Sequence, residues 1–114
     1  MDFIEIRQIA LTLPDIEDGS TPRGFALKHR GKLLACEAIN KSAEPDSLMV
    51  RVSFDKREAL IGMEPEIYYM TPHNLKTPSV LARLGKIRAD ALRDVLVGAC
   101  AFVKVKSTKS TRKT

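Results

Sequence analysis

Hydrophobic residues recur at intervals of three and four positions in three parts of the chain, which is the spacing of one buried helix face. The first helix is predicted at residues 3–13, and Pro14 ends it because the residue before a proline is driven out of helical geometry. A short second helix is predicted from a cap at Asp55 to near Gly62, and a third helix at residues 88–103.

The segments between the helices alternate apolar and polar residues with a period of two, which is typical of strands with one buried face. Strands are predicted at residues 25–28, 32–39, 48–52, 66–70 and 79–84. Arg30-Gly31 supplies the turn between the first two strands, whereas the acidic residues 15–19 are predicted as a loop. The resulting order, α-β-β-β-α-β-β-α, predicts an α+β domain with a mainly antiparallel sheet packed by helices.

The length of 114 residues and the hydrophobic content of 44% predict one soluble domain that buries a core without disulfides or metals. Cys36 and Cys100 lie far apart and match neither a C-x-x-C pair nor a zinc-binding spacing, so both are predicted as buried free thiols. Charged residues interrupt the apolar N-terminal segment, and the longest apolar run, residues 95–103, is too short to cross a bilayer. We expect a cytoplasmic protein without membrane contact, metal or cofactor.

The formal charge of +5 is concentrated in the last eleven residues, which contain five lysines or arginines and no acidic residue. Residues 1–103 carry fourteen basic and fourteen acidic side chains and are formally neutral. This division predicts a folded domain at residues 1–103 and a basic, disordered tail at residues 104–114. General attraction to phosphate is therefore expected from the tail, or from uneven placement of charge on the domain.

One basic cluster lies within the domain, because no acidic residue occurs between Asp18 and Glu37. Its cations fall on and just before the predicted hairpin, where Phe25 and His29 are interleaved with them, and a strand ribbon of this kind can lie in a groove of DNA. The alternative is a solvated hairpin tip whose charges maintain solubility. With two residues of the tail, the candidate phosphate-binding residues are Arg23, Lys28, Arg30, Lys32, Lys104 and Lys106.

The second candidate site is the loop that joins the last two predicted strands and holds His73 between two prolines. A histidine held in this way can act as an acid, a base or a ligand, or it can bond to loop carbonyls. Arg83, on the following strand, can bind phosphate or carboxylate, or it can pair with an acid across the sheet. The candidate pocket residues are Tyr69, His73 and Arg83.

Several short motifs, in their order and spacing, resemble the MmcQ/YjbR family of small bacterial proteins over nearly the whole chain up to residue 103. The motifs are Leu13-Pro14 followed by Glu17-Asp18-Gly19, Phe25 with Arg30-Gly31-Lys32, residues 55–60, Tyr69 with Thr71-Pro72-His73, and residues 78–84. The resemblance implies a frataxin-like or double-wing α+β fold and, by analogy of fold, DNA binding. The chain departs from the family pattern at Asn74 and at Ala99-Cys100, where relatives tend to carry aromatic residues.

No motif in the sequence fixes a reaction, since a phosphate-binding glycine loop, a G-x-S-x-G elbow and an H-E-x-x-H motif are all missing. We therefore expect a binding module and not an enzyme. Two hypotheses stay open for its function. The first is weak DNA binding without sequence preference, through the hairpin and the tail. The second is a protein-interaction or small-ligand module that uses the loop around His73, in an oligomeric state that the sequence leaves open.

Overall fold

The computed structural model describes the backbone of residues 1–113 and the side chains of residues 1–104. Its α-helices are α1 (Phe3–Ala10), α2 (Phe54–Met63) and α3 (Ala89–Lys113). Its strands are β1 (Ile16–Asp18), β2 (Ala26–His29), β3 (Lys32–Glu37), β4 (Ser47–Arg51), β5 (Tyr68–Tyr69) and β6 (Ser79–Arg83). A 3₁₀ helix, Pro72–Asn74, lies between β5 and β6.

The strands form one antiparallel sheet in the order β1-β2-β3-β4-β6-β5. Helices α1 and α3 pack against each other and against one side of this sheet, which we call the helix face. Burial of apolar surface between these layers forms the core. The sheet contributes to it Leu27, Ala35, Leu48, Val50, Val80 and Ala82. This arrangement confirms the predicted α+β class and the antiparallel sheet.

Strand β1 is missing from the prediction, because residues 15–19 are interpreted there as an acidic loop. Ile16 is buried and pairs with His29, whereas Glu17 is exposed. A strand with a single buried residue is too short to show an alternating pattern, which explains the error. As a consequence, acidic residues lie beside the basic hairpin, with Glu17 directly opposite Lys28.

The start of α2 is set by Ser53 and not by Asp55, so the predicted cap is wrong. The Ser53 hydroxyl accepts the N–H of Lys56 at 3.1 Å. Serine is among the preferred N-cap residues because its oxygen bonds a helical N–H that has no main-chain partner. Helix α2 therefore begins at Phe54, and Arg57 is its buried residue.

Helix α3 extends beyond its predicted end at residue 103. Up to that point its buried side chains form the apolar stripe that the sequence predicts. These side chains are Leu92, Val95, Leu96, Ala99 and Val103. The side chains of residues 105–114 lie outside the described residues, so the basic, disordered tail stays a prediction. In the part of the chain that the structure describes, no helix has the length and apolar character of a membrane span.

Candidate functional site

A cleft of about 220 Å³ lies on the side of the sheet opposite to the helix face, which we call the cleft face. Its floor is formed by Cys36, Met49 and Leu81, which are direct neighbours across β3, β4 and β6. Met49 lies between Leu48 and Val50, which face the core, so the alternation of the strand turns it to the other side. The floor is apolar, and Leu81 is only 4% exposed.

One wall of the cleft is the segment 71–77, which includes the 3₁₀ helix and carries His73. The Asn74 amide holds this segment in shape. Its Oδ1 accepts hydrogen bonds from the N–H and the hydroxyl of Thr71, at 2.7 and 3.0 Å. Its Nδ2 donates to the Ser79 hydroxyl at 3.3 Å. The wall is therefore shaped by side-chain bonds between residues close in sequence.

Arg57 of α2 holds the same wall from the protein interior. Its side chain is 3% exposed, and its guanidinium carbon lies 4.9 Å from the centre of the Phe54 ring. It donates hydrogen bonds of 3.1 to 3.3 Å to the main-chain carbonyls of Asn74, Leu75, Thr77 and Ser79. This residue is not identified from the sequence. The available signal is its position three and four residues before Leu60 and Ile61, on the inner side of the helix.

The opposite wall is formed by residues 38–43, and a cluster around Arg83 fixes the residue that follows, Glu44. Arg83 donates two bonds to the Glu44 carboxylate, from Nε at 2.9 Å and from Nη2 at 2.7 Å. Its guanidinium also lies 4.4 Å from the centre of the Tyr69 ring. The Tyr69 hydroxyl accepts the N–H of Glu44 at 2.8 Å and lies 2.6 Å from the Ser47 hydroxyl. The hydrogen bond from Arg83 lowers the pKa of Glu44 below its ordinary value.

Of the three candidate pocket residues, one lines the cleft and two lie behind its second wall. His73 lines the cleft, is exposed, and makes no hydrogen bond to any residue that the structure describes. Tyr69 and Arg83 lie outside the lining and hold the second wall instead. Arg83 pairs with an acid, which is one of the two expected roles. That acid is Glu44, in the loop between β3 and β4, and not a residue across the sheet.

The lining of the cleft carries little charge. Burial raises the pKa of the Cys36 thiol, and Glu37 acts in the same direction, so the sulfur in the floor is protonated near neutral pH. Glu37 is the one carboxylate in the lining, all of which lies within the described residues. Across residues 1–104, no three His, Cys, Asp or Glu side chains are grouped to hold a metal ion. This chemistry suits the binding of an uncharged molecule better than a reaction with a thiolate nucleophile.

The basic hairpin, formed by β2 and β3, is partly neutralised by the residues of β1 and of the turn before it. Arg30 forms an ion pair with Asp15 at 3.0 Å. Glu17 Oε1 accepts the N–H of Gly31 at 2.8 Å. Glu17 is also the residue of β1 that lies directly opposite Lys28 of β2. Two of the candidate cations therefore lie next to carboxylates and not in an acid-free surface.

The other candidate phosphate-binding residues are spread over separate elements. Arg23, in the loop before β2, and Lys32, at the start of β3, are exposed. Lys104 is exposed on α3, and the side chain of Lys106 lies outside the described residues. The fold thus brings Lys28, Arg30 and Lys32 together on the hairpin, while Lys104 belongs to a different element.

The aromatic residues that alternate with these cations are directed inward. The Phe25 ring lies 5.2 Å from that of Phe3 in α1 and is half-buried. His29 is 8% exposed, and its Nδ1 has no hydrogen-bond partner among the described residues. The buried His29 ring is not available for stacking on a base, and the Phe25 ring has part of its surface against α1. This geometry lends little support to an aromatic-interleaved basic surface, which stays a prediction.

Comparisons with known proteins identify no relative, since no protein-family model, no curated protein and no solved structure matches this chain. The resemblance to the MmcQ/YjbR family and the DNA binding that it implies stay expectations from the sequence motifs. Function has to be inferred from the geometry of the cleft and of the hairpin.

Proposed function

We propose that this protein is a small-ligand-binding module and that the cleft is its site. The observation that carries the proposal is that an arginine holds each wall, Arg57 on one side and Arg83 on the other. A cleft whose walls are fixed before binding loses little conformational entropy when a ligand enters. Preformed, concave and mainly apolar clefts with a few polar groups are the usual form of small-molecule sites.

The size of the cleft supports a small molecule over the protein-interaction form of the same hypothesis. At about 220 Å³, the cleft is smaller than pockets for drug-sized ligands, which measure roughly 300 to 1,000 Å³. One turn of a partner helix, roughly 10 to 12 Å across with its side chains and 5.4 Å long, occupies about 400 to 600 Å³, which exceeds the volume of the cleft. The proposal is binding without catalysis, because no residue pattern in the sequence supplies a reaction.

Nucleic-acid binding through the hairpin has less support from the geometry. Acidic residues of β1 lie beside the hairpin, and Arg30 is paired with Asp15. Such pairing lowers the local positive potential that attracts phosphate. DNA binding stays a prediction from the sequence, and its test is independent of the cleft.

The proposal is tested by a thermal-shift screen of small metabolites against the wild type and two variants. Ala43→Phe adds a ring to the second wall and fills the cleft, whereas Ala101→Phe adds the same ring at an exposed position on α3. A ligand at about 100 times its Kd stabilises the folded state by about 2.7 kcal/mol. We expect compounds that stabilise the wild type and Ala101→Phe but leave Ala43→Phe unchanged.

Unfolding curves without added compound establish that both variants fold. If no compound stabilises the wild type, the proposal is wrong. If compounds stabilise Ala43→Phe as much as the wild type, a ligand binds elsewhere and the cleft is not the site.

A further inference from the structure

Asn74 has a hydrogen-bond donor that the fold does not use. The N–H of Thr71 donates to Oδ1, which identifies that atom as the oxygen and leaves Nδ2 as the amino group. Nδ2 carries two hydrogens and donates one bond, to the Ser79 hydroxyl. Its second hydrogen has no partner among the described residues, although Asn74 is only 7% exposed and lines the cleft. An acceptor on a molecule in the cleft would pair with this hydrogen, so the position favours a ligand that supplies one.

The floor of the cleft is a row of three neighbouring side chains. Cys36, Met49 and Leu81 stand side by side on three neighbouring strands, and a strand spacing of roughly 4.8 Å gives an apolar strip about 10 Å long. The thioether of Met49 is polarisable and makes favourable contacts with aromatic rings. A narrow apolar strip between two walls favours a planar ring, which can lie along the strip and contact all three side chains.

The lining also limits the charge of the ligand. Glu37 is its one carboxylate, and Glu37 Oε1 already accepts the N–H of Phe25 at 3.2 Å. An anion would be repelled by Glu37, and a cation would have to compete with the N–H of Phe25 for that carboxylate. The site is therefore suited to an uncharged ligand.

We infer that the cleft binds a small, uncharged, planar nitrogen heterocycle, which lies on the floor and accepts a hydrogen bond from Nδ2 of Asn74. This inference rests on the proposed function, because it names the ligand class for the same cleft. His73, exposed in the same wall, supplies a second polar group near the edge of the ring.

The ligand class is tested on the wild-type protein by NMR titration with three probes. Quinoline is planar and has a ring nitrogen that accepts a hydrogen bond. Indole is planar but its ring nitrogen donates, and cyclohexanone has an acceptor without a planar ring. We expect quinoline to shift the amide signals of Cys36, Met49 and Leu81, with a Kd at least tenfold lower than that of either other probe. Equal binding of indole overturns the role of the Asn74 donor, and equal binding of cyclohexanone overturns the requirement for planarity.

A substitution at Asn74 tests the donor directly. Asn74→Asp keeps an oxygen for the two bonds from Thr71 but removes the amino group. Gln8→Glu is the matched control, since it makes the same exchange of an amide for a carboxylate at an exposed position on α1, away from the cleft. We expect quinoline to bind Asn74→Asp at least tenfold more weakly than the wild type, and Gln8→Glu within about twofold. Unchanged affinity in Asn74→Asp overturns the inference, and if that variant does not fold, the probe comparison decides.

The experiments distinguish a wrong ligand class from a wrong proposed function. If quinoline leaves the floor amides unchanged while other compounds bind the wild type and not Ala43→Phe, the ligand class is wrong and the cleft is still the site. If no compound binds in the cleft, both are wrong.

Discussion

At position 57, a charged side chain occupies a place on the inner side of a helix where apolar residues are usual. Its four acceptors are main-chain carbonyls 17 to 22 positions further along the chain. No periodicity or local motif encodes such a contact, because a carbonyl is the same at every residue. Asn74 differs, since it bonds Thr71 and Ser79, three and five positions away, but no local pattern shows that one of its N–H groups stays without a partner. At this scale the sequence predicts that His73 belongs to a site, and it does not predict the residues that shape that site.

Replacing Arg57 by methionine is expected to destabilise the protein by about 2 to 4 kcal/mol, because buried carbonyls lose their hydrogen bonds. Arg93→Met, at an exposed position on α3, is the matched control and is expected to change stability by less than about 0.5 kcal/mol. Urea unfolding of both variants measures the difference. Equal stability of the two variants would show that Arg57 does not hold the wall.

Acid is expected to release the second wall of the cleft. Hydrogen bonding from Arg83 holds the pKa of Glu44 below its ordinary value of 4.5. The ion pair therefore stabilises the folded state above that pH, and this contribution is lost as the pH falls through the lowered pKa. An NMR titration should show the amides of Asn40 and Ala43 shifting together with Glu44. Glu44→Gln should abolish this transition, and an unchanged transition in that variant would assign it to another group.

At the scale of elements, strands with several alternating residues are predicted well. The predictions at residues 48–52 and 79–84 match β4 and β6 within one or two residues. The strand predicted at residues 66–70 is reduced to Tyr68–Tyr69, and β1 is missed. Both are edge strands of two or three residues, and so few residues cannot show a period. Strand β1 also places carboxylates beside the hairpin. Without this strand, the sequence overestimates the net positive charge around the hairpin.

Reversing charge on the hairpin is expected to have little effect on DNA binding. The double variant Lys28→Glu with Lys32→Glu should bind a labelled duplex within about threefold of the wild type at physiological salt, because neighbouring acids already offset the hairpin charge. Fluorescence anisotropy measures this affinity. A loss of more than about tenfold would restore the hairpin as a phosphate-binding surface.

At the scale of the whole molecule, excess positive charge and the cleft belong to different parts of the chain. The five basic residues of the tail account for the formal charge, whereas the residues that line the cleft lie between Cys36 and Leu81. Attraction to polyanions and binding in the cleft should therefore be separable.

Replacing the five basic tail residues by serine should remove most salt-dependent binding to DNA and leave the cleft unchanged. Five phosphate contacts correspond to a slope of log K against log salt of at most about −4.5, from roughly −0.9 for each contact. Anisotropy at several salt concentrations measures the slope, and the thermal-shift screen measures ligand binding. A slope that persists in the serine variant would place phosphate contacts on residues 1–103.

The two faces of the sheet also differ in which substitutions they tolerate. Leu48, Val50 and Val80 face the helices and carry the core, while the floor residues Met49 and Leu81 alternate with them on the same strands but face the cleft. A volume-conserving replacement in the floor alters the surface that a ligand meets without disturbing the packing under α3. Ligand preference in this fold can therefore diverge quickly among descendants of one sequence, or be redesigned in the laboratory, while the scaffold stays the same.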